Sequence, residues 1–154
     1  MKKSISVLII AAFCLFVAVS TNAQAQSKGN KGATVWPSAD IKWSEMKGTP
    51  PGVKIMYSNL WGNIEKGAYG ALVKLPAGMN HPLHTHTAAV KLVVMSGTFW
   101  YQVEGGEKKV LDAGSYLMVP GGLQHLSGTG DQGCTLFQES NGAFDMIPVE
   151  MDKK

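Results

Sequence analysis

Most of the chain alternates between short hydrophobic runs and turn-forming residues. The runs 69–75 and 116–119, for example, are rich in aliphatic and aromatic residues and end at Pro76 and Pro120. No helical periodicity of useful length appears after the N-terminal segment. Short strands at regular spacing are typical of an antiparallel sandwich or a closed barrel. We therefore predict an all-β fold, with strands over 53–60, 69–75, 91–95, 98–103, 109–111, 116–119 and 134–138.

The N-terminal segment has a different pattern, in which Lys2 and Lys3 precede an apolar run over 5–19 and the small-residue sequence Ala23-Gln24-Ala25 follows. A basic start, a short apolar run and small residues at the end are the marks of a secretory signal peptide. The run is too short to cross a membrane comfortably. We predict that residues 1–25 are a signal peptide cleaved after Ala25. The protein would then be periplasmic or secreted, without a stable membrane anchor after cleavage.

The remaining chain has the length of a single domain. Residues 26–42 are largely polar and contain Gly29 and Gly32, which predicts a flexible N-terminal arm. The strand-like runs follow it, so we assign residues 43–150 to one β-barrel domain.

Charge and cysteine content narrow the range of functions. Loss of Lys2 and Lys3 with the signal peptide lowers the formal charge from +3 to about +1, and the sequence contains no arginine. Arginine is the usual reader of phosphates and base edges, so we do not expect nucleic acid as a partner. Cys134 is the one cysteine after the signal peptide. A single cysteine cannot form an internal disulfide. We interpret Cys134 as a small apolar core residue.

The four histidines are confined to two stretches of the chain. His81, His84 and His86 lie in the first stretch, and His125 follows a tight turn in the second. Side chains alternate along a strand, so His84 and His86 would share one face. If His125 is returned over that pair, three imidazoles could form an open metal site.

These two stretches resemble the paired motifs of the cupins. The first motif is matched by Gly78, by the His-x-His pair and by Gly97. The second is matched by Gly114, by Pro120-Gly121-Gly122 and by His125. Both motifs occur in the family's order and spacing, with a short segment between them. The resemblance implies a cupin-like double-stranded β-helix, which is a jelly-roll barrel, with His84, His86 and His125 as metal ligands.

One element of the first motif differs. The family has a glutamate where this chain has Val90, or Lys91 if the spacing is one residue longer. We favour Val90, because it keeps the parity of the histidine pair, whereas Lys91 would need a bulge to face the site. Neither side chain is a plausible ligand, so a three-histidine site remains.

The resemblance leaves several functions open, because small cupins include enzymes, binding modules and sensors. The first hypothesis is a metal-dependent dioxygenase or isomerase acting on a small molecule. Its divalent transition metal would be iron, zinc, manganese, nickel or copper, and Tyr101 or His81 would supply a proton or a hydrogen bond. The second is a non-catalytic small-molecule binding or sensing module. The third is a degenerate cupin whose histidines only hydrogen-bond one another.

Two further expectations concern His81 and assembly. His81 precedes Pro82 in the loop before the pair, where the alternation of side chains along a strand does not apply. We expect it to be an exposed loop residue rather than a ligand or an acid/base group. We also expect a homodimer, because Trp36, Trp43 and Trp61 lie outside the paired motifs and could cover a neighbour's sheet edge.

Overall fold

The structure is a computed structural model that describes residues 32–150. The predicted signal peptide, residues 1–25, and the first part of the predicted arm lie outside the described residues. From Trp36 onward the described chain forms one compact unit. That unit contains a three-residue 3-10 helix, Ser38–Asp40, and nine strands. The strands are β1 (Ser44–Glu45), β2 (Met56–Gly62), β3 (Tyr69–Leu75), β4 (Asn80–Thr85), β5 (Val90–Val103), β6 (Lys109–Asp112), β7 (Tyr116–Val119), β8 (His125–Ser140) and β9 (Ile147–Pro148).

The strands form one curled antiparallel sheet in the order β1-β2-β3-β8-β4-β9, and β5 joins this path through β8. The long strands β5 and β8 pair from Val90 opposite Ser140 to Val103 opposite His125. Strands β6 and β7 pair with the two halves of β5. Curling allows a sheet to cover its own apolar face, as in a jelly roll. The predicted all-β, cupin-like fold is therefore confirmed.

The sheet encloses an apolar interior. Its fully buried side chains include Ile64, Tyr69, Val94 and Leu136. Alternation places Leu117 and Val119 of β7 on the inner side, whereas Tyr116 and Met118 of the same strand are exposed. The other buried hydrophobic residues are Ile55, Ala71, Val73, Leu75, Met79, Leu83, Val90, Leu92, Phe99, Trp100, Val119 and Cys134.

One predicted strand break is absent, because the chain bulges at that point without ending the strand. The predicted strands 91–95 and 98–103 are one strand, β5, with register shifts on either side of Gly97. Gly97 has a φ of 72°, and a Cβ there would lie 2.1 Å from the carbonyl oxygen of Gly133. A glycine bulge bends a strand without ending it. Strand β8 likewise continues far beyond the predicted segment 134–138.

The N-terminal part of the described chain is attached to the sheet at two tryptophans. The indole N–H of Trp36 donates a hydrogen bond of 2.9 Å to the carbonyl of Leu60. The ammonium group of Lys74 lies 3.9 Å from the ring centroid of Trp43. Among residues 32–150, no helix is long and apolar enough to span a membrane.

Candidate metal centre

His84, His86 and His125 converge in the interior although they come from separate elements. His84 lies in β4 and is paired with His125, the first residue of β8. His86 follows the end of β4. One ring nitrogen from each of the three lies within 4.8 Å of the others, and all three side chains are buried. Among the described residues, this group could hold a metal ion, as the sequence predicts.

The second motif is anchored directly on the first. The backbone N–H of Gly122 donates to the carbonyl of His86 at 2.8 Å. A Cβ on Gly121 would lie 2.5 Å from the carbonyl oxygen of Thr87, so this turn approaches the chain too closely for a side chain. The turn therefore leads into β8 beside the histidine pair, and it returns His125 over that pair.

The hydrogen bonds of the three imidazoles define which nitrogen is available. Nδ1 of His84 lies 2.7 Å from the carbonyl of Pro82, Nδ1 of His86 lies 2.5 Å from that of Asp145, and Nδ1 of His125 lies 2.9 Å from that of Leu123. A carbonyl oxygen can only accept, so each Nδ1 must carry the proton and donate it. Each Nε2 is then left with a free lone pair, as a metal requires.

The surroundings also keep these rings neutral. Burial, opposed in part by the hydrogen bond to the Pro82 carbonyl, lowers the pKa of His84 to about 4; the other imidazoles add to the lowering. Burial likewise lowers the pKa of His86 and of His125 below the usual value for histidine. Neutral imidazole is the form that binds metal. The donor set therefore fits a divalent transition metal at neutral pH without prior loss of a proton.

Val90, not Lys91, faces this site. Val90 is 4% exposed and lines the central cavity. Lys91 points outward, where its ammonium group pairs with the carboxylate of Glu139 at 3.2 Å. The parity argument for Val90 thus gives the correct register.

The expectation that His81 is an exposed loop residue is wrong. His81 lies in β4 opposite Ser127, is half-buried and lines the cavity. Its Nδ1 is 3.1 Å from the Ser127 hydroxyl, and its ring centroid is 5.7 Å from that of His84. Strict alternation would put His81 and His84 on opposite faces, but the β4–β8 register shifts between them. This irregularity brings both rings to the interior.

Tyr101 is also beside the site. Its ring centroid lies 5.1 Å from that of His125, and together with Phe99 it lines the cavity. Alternation alone leaves open which face of this strand points inward. In the structure, the inward face is the one that carries the odd-numbered residues Phe99 and Tyr101. Trp100, on the other face, lies under the ammonium group of Lys108 at 4.1 Å.

Two residues that complete the site, Phe144 and Asp145, have no recognisable signal in the sequence. Asp145 supplies the carbonyl that accepts from His86, and its carboxylate accepts from the amide and hydroxyl of Thr87 at 2.9 and 2.5 Å. The ring centroid of Phe144 lies 5.2 Å from that of His86. Both residues are in an irregular segment before β9, where no hydrophobic periodicity marks them. An aspartate in such a segment is usually a solvated loop residue.

The histidines border a cavity of ≈ 660 Å³ inside the curled sheet. The volume lies within the range of small-molecule sites, which are commonly apolar with a few placed polar groups. Aliphatic and aromatic side chains form most of the wall. The polar residues of the lining include Gln138, whose amide donates to the Tyr69 hydroxyl at 2.5 Å.

A curled antiparallel sheet with three histidines at the positions of the two paired motifs gives this protein the cupin fold. Within that class, the chain belongs to the family described as "Domain of unknown function (DUF4437)", whose model matches residues 18–147. No curated protein matches the sequence significantly.

Solved structures support the same fold at low sequence identity. The polyketide cyclase RemF from Streptomyces resistomycificus is 16% identical with a TM-score of 0.60, over 79% of this chain and 88% of that chain. The DMSP lyase DddQ from Ruegeria pomeroyi DSS-3 is 22% identical with a TM-score of 0.56, over 72% and 61%. An RmlC-like cupin from Shewanella frigidimarina NCIMB 400 is 20% identical with a TM-score of 0.53, over 69% and 88%.

Proposed function

We propose that the protein is an exported, metal-dependent enzyme that acts on a small molecule at the centre formed by His84, His86 and His125. The observation that carries the proposal is the hydrogen bonding of these rings. Each Nδ1 donates to a backbone carbonyl, which leaves three neutral Nε2 atoms for a metal. Three protein ligands leave coordination positions open for a substrate, which is the arrangement of catalytic rather than structural sites.

A divalent metal held there would polarise a substrate oxygen, and a redox-active metal would also supply oxygen chemistry. The chain's own contribution is to bind and orient the substrate. The ring of Tyr101 is 5.1 Å from that of His125, so its hydroxyl can contribute a hydrogen bond inside the cavity. His81, hydrogen-bonded to Ser127, is the other candidate for such a contact. The apolar wall excludes water from the reacting atoms.

Catalysis is consistent with what this fold does in other chains. Two of the similar structures are a polyketide cyclase and a DMSP lyase. The low identity carries neither substrate to this chain, so the reaction has to be found by experiment.

The test starts from metal-free protein that is reloaded separately with ferrous iron and with zinc. Metal content is measured first, with His125→Ala as a control that should lose most of the bound metal. Oxygen uptake is then followed with enediols, catechols, flavonols and 1,3-diketones, and isomerisation of keto-sugars is followed in parallel. Uptake with iron alone identifies a dioxygenase, because zinc has no redox chemistry. Turnover with both metals and no oxygen use would support a non-redox enzyme such as an isomerase or hydrolase.

Two results would contradict the enzyme proposal. Wild-type protein that refuses iron, zinc, copper, nickel and manganese would leave only histidines that hydrogen-bond. Ligand binding without turnover under any metal would instead favour the binding or sensing module. That alternative draws on one observation: Val90, an aliphatic residue, occupies the cavity position where the family has glutamate.

A further inference from the structure

Several strands contribute apolar side chains to the wall of the cavity. Val73 of β3, Leu117 of β7 and Leu136 of β8 all contribute to it. Aromatic rings add to this surface at Phe99 and Phe144. Surface of this kind stabilises a bound molecule in proportion to the apolar area that is removed from water. The body of a ligand that fills this space must therefore be largely apolar.

Several polar groups of the lining lie around the metal centre. The centroids of His84 and His125 are 4.2 Å apart, and His81 lies next to His84. Ser127 is hydrogen-bonded to His81, and the ring of Tyr101 lies 5.1 Å from that of His125. Gln138 also lines the cavity, but its amide already donates to the Tyr69 hydroxyl. The oxygen atoms of a ligand therefore find a group of several polar side chains beside the three imidazoles.

Charged groups are nearly absent from the lining. Among the described residues, only three charged side chains border the cavity, and they are Lys47, Glu65 and Asp145. Lys47 and Glu65 are exposed, and the carboxylate of Asp145 is already bound by Thr87. A phosphate, sulfonate or carboxylate buried against the apolar wall would lose its hydration without gaining a partner there. A sugar would likewise bury several hydroxyls against apolar side chains.

We propose that the substrate has an uncharged aromatic or alicyclic body and a pair of adjacent oxygen atoms at one edge. The oxygen pair is directed to the three-histidine centre, and the rings occupy the apolar part of the cavity. This inference rests on the proposed function, because the oxygen pair needs a metal at His84, His86 and His125. It goes further by excluding sugars and ligands whose apolar body carries an anionic group.

The test compares three probes by calorimetry on zinc-loaded protein, since zinc cannot oxidise them. The probes are naphthalene-2,3-diol, catechol and 6,7-dihydroxynaphthalene-2-sulfonate, which share the same pair of oxygens. Naphthalenediol should bind about tenfold or more tightly than catechol, because its second ring buries further apolar surface. The sulfonate should bind at least about tenfold more weakly than naphthalenediol. Equal binding of naphthalenediol and catechol, or preference for the sulfonate, overturns the inference.

A pair of neighbouring variants locates the apolar body. Leu117→Trp fills the cavity from β7 and should weaken naphthalenediol binding about tenfold, with a smaller effect on catechol. Met118→Trp is the matched control, because Met118 faces outward on the same strand and should leave both affinities unchanged. Circular dichroism and zinc content establish that each variant is folded and loaded. Equal effects of the two variants, or none from folded Leu117→Trp, would place the ligand elsewhere.

Failure of this inference is distinguishable from failure of the proposed function. If the protein binds no zinc, the metal centre itself is refuted. If zinc binds at the histidines but the probes rank in the opposite order, the centre stands and only the substrate class is wrong.

Discussion

At the scale of single residues, each metal-ligand candidate is held by a backbone carbonyl. His84 and His125 use carbonyls two residues earlier, whereas His86 uses the distant carbonyl of Asp145. A backbone acceptor has no alternative rotamer, so the ring orientation is set by the fold itself. Loss of such a partner typically weakens metal binding by about 10- to 100-fold.

Substitution at Val90 tests the register of the first motif. Val90→Glu should place a carboxylate in the cavity beside the imidazoles and tighten binding of a divalent metal by about tenfold or more. Lys91→Glu is the matched control, because that side chain is on the outer face and pairs with Glu139. Titration with zinc against a competing chelator measures both affinities. A larger gain from Lys91→Glu would show that the register is displaced by one residue.

Cys134 allows a prediction about alkaline pH. Burial raises the pKa of this thiol from 9.0 to about 12 in the folded protein. Its folded-state pKa is thus above the unfolded value, so its contribution to stability is complete below pH 9 and is lost as the pH rises towards 12. At pH 10.5 the loss from this one group is about 2 kcal/mol in the free energy of unfolding.

The measurement is urea unfolding at pH 8 and pH 10.5, with Cys134→Ala as the comparison. The alanine variant starts from a lower stability, because it loses buried volume. Its free energy of unfolding should nevertheless fall less between the two pH values than that of the wild type, by about 2 kcal/mol. An identical loss in both proteins would mean that the thiol is accessible or already ionised in the native state.

At the scale of elements, the segment between β8 and β9 closes the site. The amide of Phe144 donates to the carbonyl of Ile64, and the carboxylate of Asp145 is bound by Thr87. Burial acts to raise the pKa of Asp145, but the hydrogen bonds from Thr87 outweigh it and keep that pKa below its usual value. β9 then pairs with β4 at Thr85 and His84. These contacts fix the carbonyl on which the orientation of His86 depends.

Asp145→Ala should therefore weaken metal binding by about tenfold, although Asp145 is not among the three ligand candidates. Asp145→Asn, whose side-chain oxygen can still accept from Thr87, should lose less. Glu139→Ala removes a carboxylate that pairs with Lys91 on the outer face and should leave the affinity unchanged. Zinc titration separates the three variants. Equal affinity in Asp145→Ala and wild type would show that the carbonyl stays in place without the side chain.

The elements also show which parts of the structure were predictable. The turn residues and alternation were sufficient for the sheet and for β3 and β7. Together with the resemblance to the paired cupin motifs, they also predicted the grouping of His84, His86 and His125, which could hold a metal ion. The position of His81 was not predictable, because it depends on a register irregularity in β4 that single-sequence alternation cannot detect. Asp145 was missed for a related reason. Its role comes from a contact with Thr87, far away in sequence, and two-residue strands such as β9 have no recognisable pattern.

At the scale of the whole molecule, the proposed export and assembly are still to be tested. Cleavage after Ala25 would give a protein whose N-terminal residue is Gln26, and mass spectrometry of the exported protein would identify it. The near-neutral charge of that product would oppose self-association only weakly. The surface through which the protein associates should therefore depend on the exposed strands of the sheet, and not on its net charge.

The tryptophans that first suggested a dimer are largely engaged within the chain. Trp36 donates to Leu60, and Trp43 lies under Lys74. Trp61 is 49% exposed, but its ring covers Gly70 so closely that a Cβ there would lie 2.1 Å from the indole nitrogen. Strand β7 offers a better surface. It pairs only with β5 within the described sheet, and it exposes Tyr116 and Met118 on its outer face.

We therefore predict a homodimer that associates through β7, because an unpaired edge with exposed apolar side chains is the usual site of strand-to-strand contact. Multi-angle light scattering of the purified protein should give twice the monomer mass. Met118→Lys should shift the population to monomer, since a charge buried at the contact has no partner there. Trp61→Lys should leave the dimer intact, and dissociation by this variant instead would move the contact to β2. A wild-type monomer at high protein concentration would refute the dimer altogether.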